Sequence, residues 1–163
     1  MLLEFKTQNY KSFVEDASFS MVAAPKQKGL DYSLMKTKIK GKEIKGLSSS
    51  VIYGPNAAGK TNIIGAMDVL RAIVLRGNIR NSEEKSSPNP AASALELIPN
   101  NDEPESKLFC FDIEFYVEDG WEHKFKIHYK LKINLGTFLE EEYQIKILAE
   151  VLEVNGERIF ERK

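Results

Sequence analysis

Eight consecutive residues, Gly54-Pro55-Asn56-Ala57-Ala58-Gly59-Lys60-Thr61, satisfy the pattern G-x-x-x-x-G-K-[ST] at every specified position. That is the spacing of a Walker A loop, and background residue frequencies would produce it by accident in a chain of this length at roughly 0.5%. Each position has a physical reason. Gly54 and Gly59 permit backbone conformations and close approaches that a Cβ would obstruct, so the amides from Ala57 to Thr61 can converge on one anion. The Lys60 ammonium would bridge β- and γ-phosphate oxygens, and the positive end of a helix beginning near Lys60 adds to its field. Lys60 is therefore the candidate catalytic residue. The Thr61 hydroxyl is a hard oxygen ligand suited to Mg²⁺, which prefers octahedral oxygen coordination shared with phosphates.

Such a loop needs a strand before it and a helix after it. Ser48 to Tyr53 has Val51 and Ile52 at its centre and ends at a Gly-Pro break, which predicts a short buried strand. Thr61 to about Arg76 contains no proline, and Ile63, Ile64, Met67, Leu70, Ile73 and Val74 fall on helical spacing before the stop at Gly77-Asn78. Ala66, Val69, Ala72 and Leu75 widen the apolar stripe, so the expected helix is central and packed on more than one side.

The rest of the chain alternates with a period of two. Leu3, Phe5 and Thr7 oppose Glu4 and Lys6 in a first strand, and Ala17 to Ala24 supplies a return strand. Lys36, Lys38, Lys40 and Lys42 alternate around Lys40-Gly41-Lys42 and predict an exposed hairpin whose lysines are a solvated edge rather than a nucleic-acid contact. Leu108 to Val117 and Trp121 to Ile133 flank Asp119-Gly120, and Val151 to Val154 and Ile159 to Phe160 flank Asn155-Gly156; both dipeptides predict tight hairpins. Between Asn78 and Lys107, four of the six prolines gather and periodicity disappears, so residues 77–107 read as an exposed, mobile loop insertion with a short turn at Ala91 to Ile98.

Composition agrees with one soluble domain: 163 residues, 42% hydrophobic, 29% charged, and a net charge of -1. No apolar run reaches the ~18 residues of a membrane span, and Glu4 and Lys6 interrupt any signal peptide, so a cytoplasmic protein without membrane contact is expected. A lone Cys110 forms no internal disulfide. The near-neutral charge supplies no general attraction for nucleic acid.

Phosphate binding alone hydrolyses nothing; a carboxylate and a water-orienting group are also needed. Leu108-Phe109-Cys110-Phe111-Asp112 has the bare form of a Walker B strand. However, Phe109, Phe111, Ile113 and Phe115 alternate with Asp112 and Glu114, which puts Asp112 on the wet face of an antiparallel hairpin. His123 and His128, five residues apart in one predicted strand, face opposite ways, which speaks against a paired metal or catalytic role.

The segments LLEFKTQNYKSF, SSSVIYGPNAAGKTNIIGAMDVL, FDIEFYVEDGWEHKFKI and EEYQIKILAEVLEVNGERIFERK together resemble the N-terminal half of bacterial AAA-family ATP-binding proteins. These proteins carry ABC-type ATPase heads like those of structural-maintenance-of-chromosomes and overcoming-lysogenization-defect proteins. The resemblance implies an α/β P-loop NTPase fold, ABC-type lobe I, with a mixed or antiparallel sheet wrapped around a central helix and extra β-hairpins. It implies ATP and Mg²⁺ as cofactors. Gly54 through Thr61 with Asn62 would line the nucleotide, Thr61 would hold the metal, and Lys11 and Ser12 would approach from the first strand. Tyr10 or Phe13 would lie near the base or in the core. No Ser-Gly-Gly signature segment, no convincing Walker B Asp-Glu pair and no histidine after a late strand is found, which implies a first lobe, residues 1–163, with the C-terminal lobe absent. The resemblance further implies a head-to-tail homodimer gated by nucleotide and coupled to a nuclease or other effector, often in phage defence. Two other readings stand beside it. One is a small P-loop kinase, disfavoured because residues 81–107 hold no lid arginine, and the other is a non-enzymatic, nucleotide-stabilised interaction module.

Overall fold

The computed structural model describes residues 1–25, 29–39, 41–79, 95–100, 107–136 and 145–163. Strands β1 (Leu2–Gln8), β2 (Ala17–Ser20), β5 (Leu108–Glu118), β6 (Lys124–Asn134), β7 (Lys146–Val154) and β8 (Glu157–Arg162) form a six-stranded antiparallel sheet in the order β2-β1-β5-β6-β7-β8. A separate hairpin joins β3 (Leu34–Ile39) to β4 (Lys42–Leu47). The one α-helix among the described residues, α1, runs Lys60–Arg76.

Alternation decides which face of the sheet is dry. Phe5 stands opposite Ile113, Thr7 opposite Phe111, Phe111 opposite Leu131 and Phe109 opposite Ile133. These rows form one apolar face in which Phe5, Phe109 and Ile133 are fully buried. Helix α1 lays Ile63, Ala66, Val69, Leu70 and Ile73 on that face. Its αL C-cap is Gly77, whose amide donates to Ile73 O at 3.0 Å. The expected packing on more than one side is not found among the described residues: Ile64 is 56% exposed, Val74 55% and Leu75 59%. One sheet face can cover only one side of a helix, and no described layer meets the other.

The strand expected before the loop is also absent. Residues 48–53 join no ladder, and Val51 and Tyr53 are 69% and 87% exposed. An apolar run needs a partner strand to become one, and residues 48–53 pair with neither edge strand of this sheet, β2 or β8. Every strand pair described is antiparallel, so of the mixed or antiparallel sheet expected, the antiparallel form is what the fold holds.

The two expected tight turns differ. Asn155 (φ 54°) and Gly156 (φ 83°) form the two-residue connection between paired Val154 and Glu157. Nothing lies within 4 Å of a Cβ built on Gly156, so Gly156→Ala tests backbone conformation alone. The expected cost is about 1–2 kcal/mol, measured by urea denaturation. At Asp119-Gly120 the turn is looser than predicted. The strands stop at Glu118 and Lys124, Glu122 takes the positive φ (64°), and the Asp119 carboxylate accepts from the amides of Trp121 (2.9 Å) and His123 (2.8 Å). The Asp side chain thus organises a longer loop, and His123 sits in it rather than in the strand.

The 77–107 insertion is not wholly exposed. Ile79, Leu95 and Asn100 are 8%, 6% and 5% exposed, with Ile79 and Leu95 in the core cluster. Most of that predicted loop, including its Ala91–Ala94 turn residues, lies outside the described residues. So does Lys40 at the tip of the lysine hairpin.

Candidate functional site

The loop from Gly54 to Ala58 is exposed and leads directly into α1. Ala57 has φ 66° and Gly59 φ 81°, so two left-handed residues separated by one other curl the backbone at the helix start. Such alternation turns successive N–H groups towards a common point. Gly59 is the N-cap and makes no side-chain cap bond, while Asn62 N donates to Gly59 O at 2.9 Å. Among the described residues, the amides of Gly59, Lys60 and Thr61 make no main-chain hydrogen bond, so the positive end of α1 is open to an anion. The Ala58 amide instead bonds Pro55 O at 3.3 Å.

Lys60 folds back over the loop. Its Nζ donates to Gly54 O at 2.8 Å and Pro55 O at 2.6 Å, holding the ammonium inside the curl on neutral carbonyl acceptors. A doubly or triply charged phosphate group is a stronger acceptor for the same proton donors. Thr61 is exposed at the first turn, where its hydroxyl has open access. Pro55 and Asn56 form the rim. The structural demand on the two glycines differs. A Cβ at Gly59 would lie 2.5 Å from Ser12 Oγ and 2.9 Å from Phe13 Cε1, whereas one at Gly54 would meet Ala58 Cβ at 3.5 Å and Lys60 Cδ at 3.9 Å, ordinary contacts. The close approach expected of both glycines is found at Gly59 alone in this conformation.

The turn after β1 reaches the loop from the side. Ser12 Oγ accepts from Asn62 Nδ2 at 2.7 Å and so touches both the helix start and the space above Gly59. Lys11 takes a different course: its Nζ pairs with Glu96 Oε2 at 2.6 Å, and this hydrogen bond holds the ammonium above its ordinary range. Tyr10 is fully buried, edge-on to Phe109 with ring centroids 6.4 Å apart, and packs beneath Gly65. It belongs to the core, while Phe13 lies partly buried against Gly59. Sequence reasoning missed Glu96 and Asn100, which together with Asn9 hold this turn from behind; a run ending in Pro99-Asn100 carries no periodic signal to mark it.

The hairpin carboxylate stands apart from this chemistry. Asp112 lies mid-strand, paired with Lys6 on β1 and Lys130 on β6. Its Oδ1 meets His128 Nε2 at 2.8 Å and its Oδ2 meets Lys130 Nζ at 3.1 Å. His128 Nδ1 is also 3.4 Å from Glu153. This is a charge network on the wet face of an antiparallel sheet. Asp112→Asn is accordingly expected to change nucleotide affinity less than about twofold, read by calorimetry, since its carboxylate is engaged by His128 and Lys130 on the sheet and by no loop residue. A large loss would restore the carboxylate to the site. No group of three or more potential ligating His, Cys, Asp or Glu residues occurs among the described residues. A groove of about 480 Å³ between the second half of α1 and the inner face of β5–β8 is lined by Met67, Ile73, Tyr129, Leu152 and Phe160 and includes no residue of the Gly54–Thr61 loop.

A protein-family model described as "AAA domain, putative AbiEii toxin, Type IV TA system" matches residues 49–149, a span that takes in the whole loop, α1 and the β5–β6 hairpin. The chain belongs to this AAA domain family. No curated protein and no solved structure matches it significantly. Membership carries P-loop ATPase-type nucleotide binding, and the AAA domain here is built as a sheet-rich α/β unit with one described α-helix. No described helix is long and apolar enough to cross a membrane.

Proposed function

We propose that this AAA domain is the ATP- and Mg²⁺-binding lobe I of an ABC-type ATPase. The observation that carries the reading is the curl at Ala57 and Gly59, with unbonded amides at the uncapped start of α1 and the Lys60 ammonium already folded inside it. Those groups fit a polyphosphate: main-chain donors for one phosphate, a mobile cation for the next, and the helix field behind both. On binding, Lys60 exchanges two carbonyl acceptors for phosphate oxygens and spreads its charge over the group to be transferred. Asn62 and Ser12 brace the helix start, and Pro55 and Asn56 border the entrance. Thr61 would hold the metal, which supplies charge neutralisation between the β- and γ-phosphates.

The loop residues supply binding and orientation. The resemblance supports a second unit as the source of the groups that complete turnover. The resemblance supports a head-to-tail homodimer in which each nucleotide is capped across the interface, with the engaged state passed to a nuclease or other effector.

Titration calorimetry with Mg²⁺ tests the reading. ATP binding with one site per chain, lost when Mg²⁺ is chelated or strongly weakened, is the expected result. No heat from ATP or GTP, in this chain and in any longer polypeptide containing it, would overturn it.

A further inference from the structure

Asn9 and Lys11 both adopt left-handed backbone conformations, with φ 54° and 51°. Asparagine enters this region readily; a lysine does so only when its surroundings over-determine it. The determinants lie far along the chain. Lys11 N donates to Ile98 O at 2.9 Å, and Asn100 Nδ2 donates to Lys11 O at 2.7 Å, so the main chain of Lys11 is held at both its amide and its carbonyl. Asn100 N donates to Asn9 Oδ1 at 3.0 Å, and Asn9 Nδ2 donates to Leu108 O at 3.1 Å. Asn9 and Asn100 are 3% and 5% exposed, which shields this clasp from competing water. On its other side the same turn delivers Ser12 to Asn62 and to the space above Gly59.

We propose that Asn100 is a positioning residue for the nucleotide site. By holding Lys11 in its left-handed conformation it sets Ser12 against Gly59 and Asn62, and so ties the Leu95–Asn100 segment to the phosphate-binding loop. The proposal rests on the reading of that loop as a nucleotide site. Asn100 touches no loop residue itself; its effect passes through the turn.

The test is a comparison across backgrounds, made by ATP titration calorimetry with Mg²⁺ on the full chain. Asn100→Ala in the otherwise unchanged chain is expected to weaken ATP about tenfold, as loss of a buried donor leaves the Lys11 carbonyl unsatisfied and the turn free to move. In a Lys11→Ala/Ser12→Ala background the same substitution should change affinity less than about twofold, because the groups it positions are gone. An equal loss in both backgrounds, or no loss in the first, overturns the proposal. If Asn100→Ala does not fold, Asn100→Asp, which keeps the size of the side chain but removes the Nδ2 donor to Lys11 O, carries the same comparison. A readout without nucleotide separates the two levels. Asn100→Ala should shift the Asn62 side-chain amide resonances in the ligand-free chain, and unchanged resonances overturn the relay. A wild-type chain that binds no ATP overturns the nucleotide reading and the proposal with it, even where the resonances move.

Discussion

Lys60→Ala is expected to abolish the thermal stabilisation that Mg²⁺ and ATP confer on the chain. A ligand present at a hundred times its dissociation constant stabilises the native state by about 2.7 kcal/mol. For a domain of this size that raises the melting temperature by about 5–10 °C. The ammonium is the one loop side chain already poised inside the curl, on Gly54 O and Pro55 O. Removing it leaves the amides and the helix dipole, which alone hold a phosphate weakly. Charge-assisted bonds to phosphate are each worth about 1.5–3 kcal/mol, so losing two should weaken binding on the order of a hundredfold or more. At the same ATP concentration the shift then falls to about 1 °C or less. The ligand-free protein should melt close to wild type, because Lys60 bonds only carbonyls of an exposed loop. Differential scanning fluorimetry with and without nucleotide reads both quantities. A full ATP shift in Lys60→Ala would remove this residue from the site.

Gly59→Ala is expected to damage both fold and site. At φ +81° an alanine costs about 1–2 kcal/mol. Its Cβ would also lie 2.5 Å from Ser12 Oγ and 2.9 Å from Phe13 Cε1. Ser12 is held by Asn62, and Phe13 packs against the core, so relief comes by shifting the turn rather than by a free rotation. Overpacking of this kind adds about 1–3 kcal/mol. The sum, about 2–5 kcal/mol, predicts a melting temperature lower by roughly 5–15 °C. Gly54→Ala is the control, because its Cβ would make ordinary contacts at 3.5 and 3.9 Å, and stability within about 0.5 kcal/mol of wild type is expected. Equal melting of the two variants would show that the turn does not press on Gly59.

The contrast between these glycines marks a boundary in what residue order can say. The motif treats both as obligatory, while packing makes only Gly59 sterically irreplaceable in this conformation. The same boundary appears at the turns. Asn155-Gly156 forms the predicted two-residue connection because both residues accept positive φ, and Asn155 Oδ1 also accepts from the Lys126 amide at 2.8 Å. Asp119-Gly120, chemically as good, is overruled by the Asp119 carboxylate, which captures the Trp121 and His123 amides and lengthens the loop. Asp112 was legible as a wet-face residue from alternation, though its His128 and Lys130 partners required the register of β5 on β6.

Residue order by itself determined the features that depend on neighbours within a few positions. These are the phosphate-loop pattern, the span of α1 with its Gly77 stop, and the dry and wet faces of β1, β5 and β6. Periodicity and backbone preference act locally, so they survive without knowledge of the fold. Only the tertiary structure decided which apolar surfaces found cover: among the described residues, 48–53 and the Ile64–Val74–Leu75 side of α1 did not, because burial needs a second layer that composition cannot place. Tertiary contact also settled Tyr10 as core, Ser12 as the neighbour of Gly59, and Asn100 as the clasp on Lys11. Hydrogen bonds between polar side chains and main-chain groups some ninety residues away leave no periodic trace, since each depends on where two folded segments happen to meet.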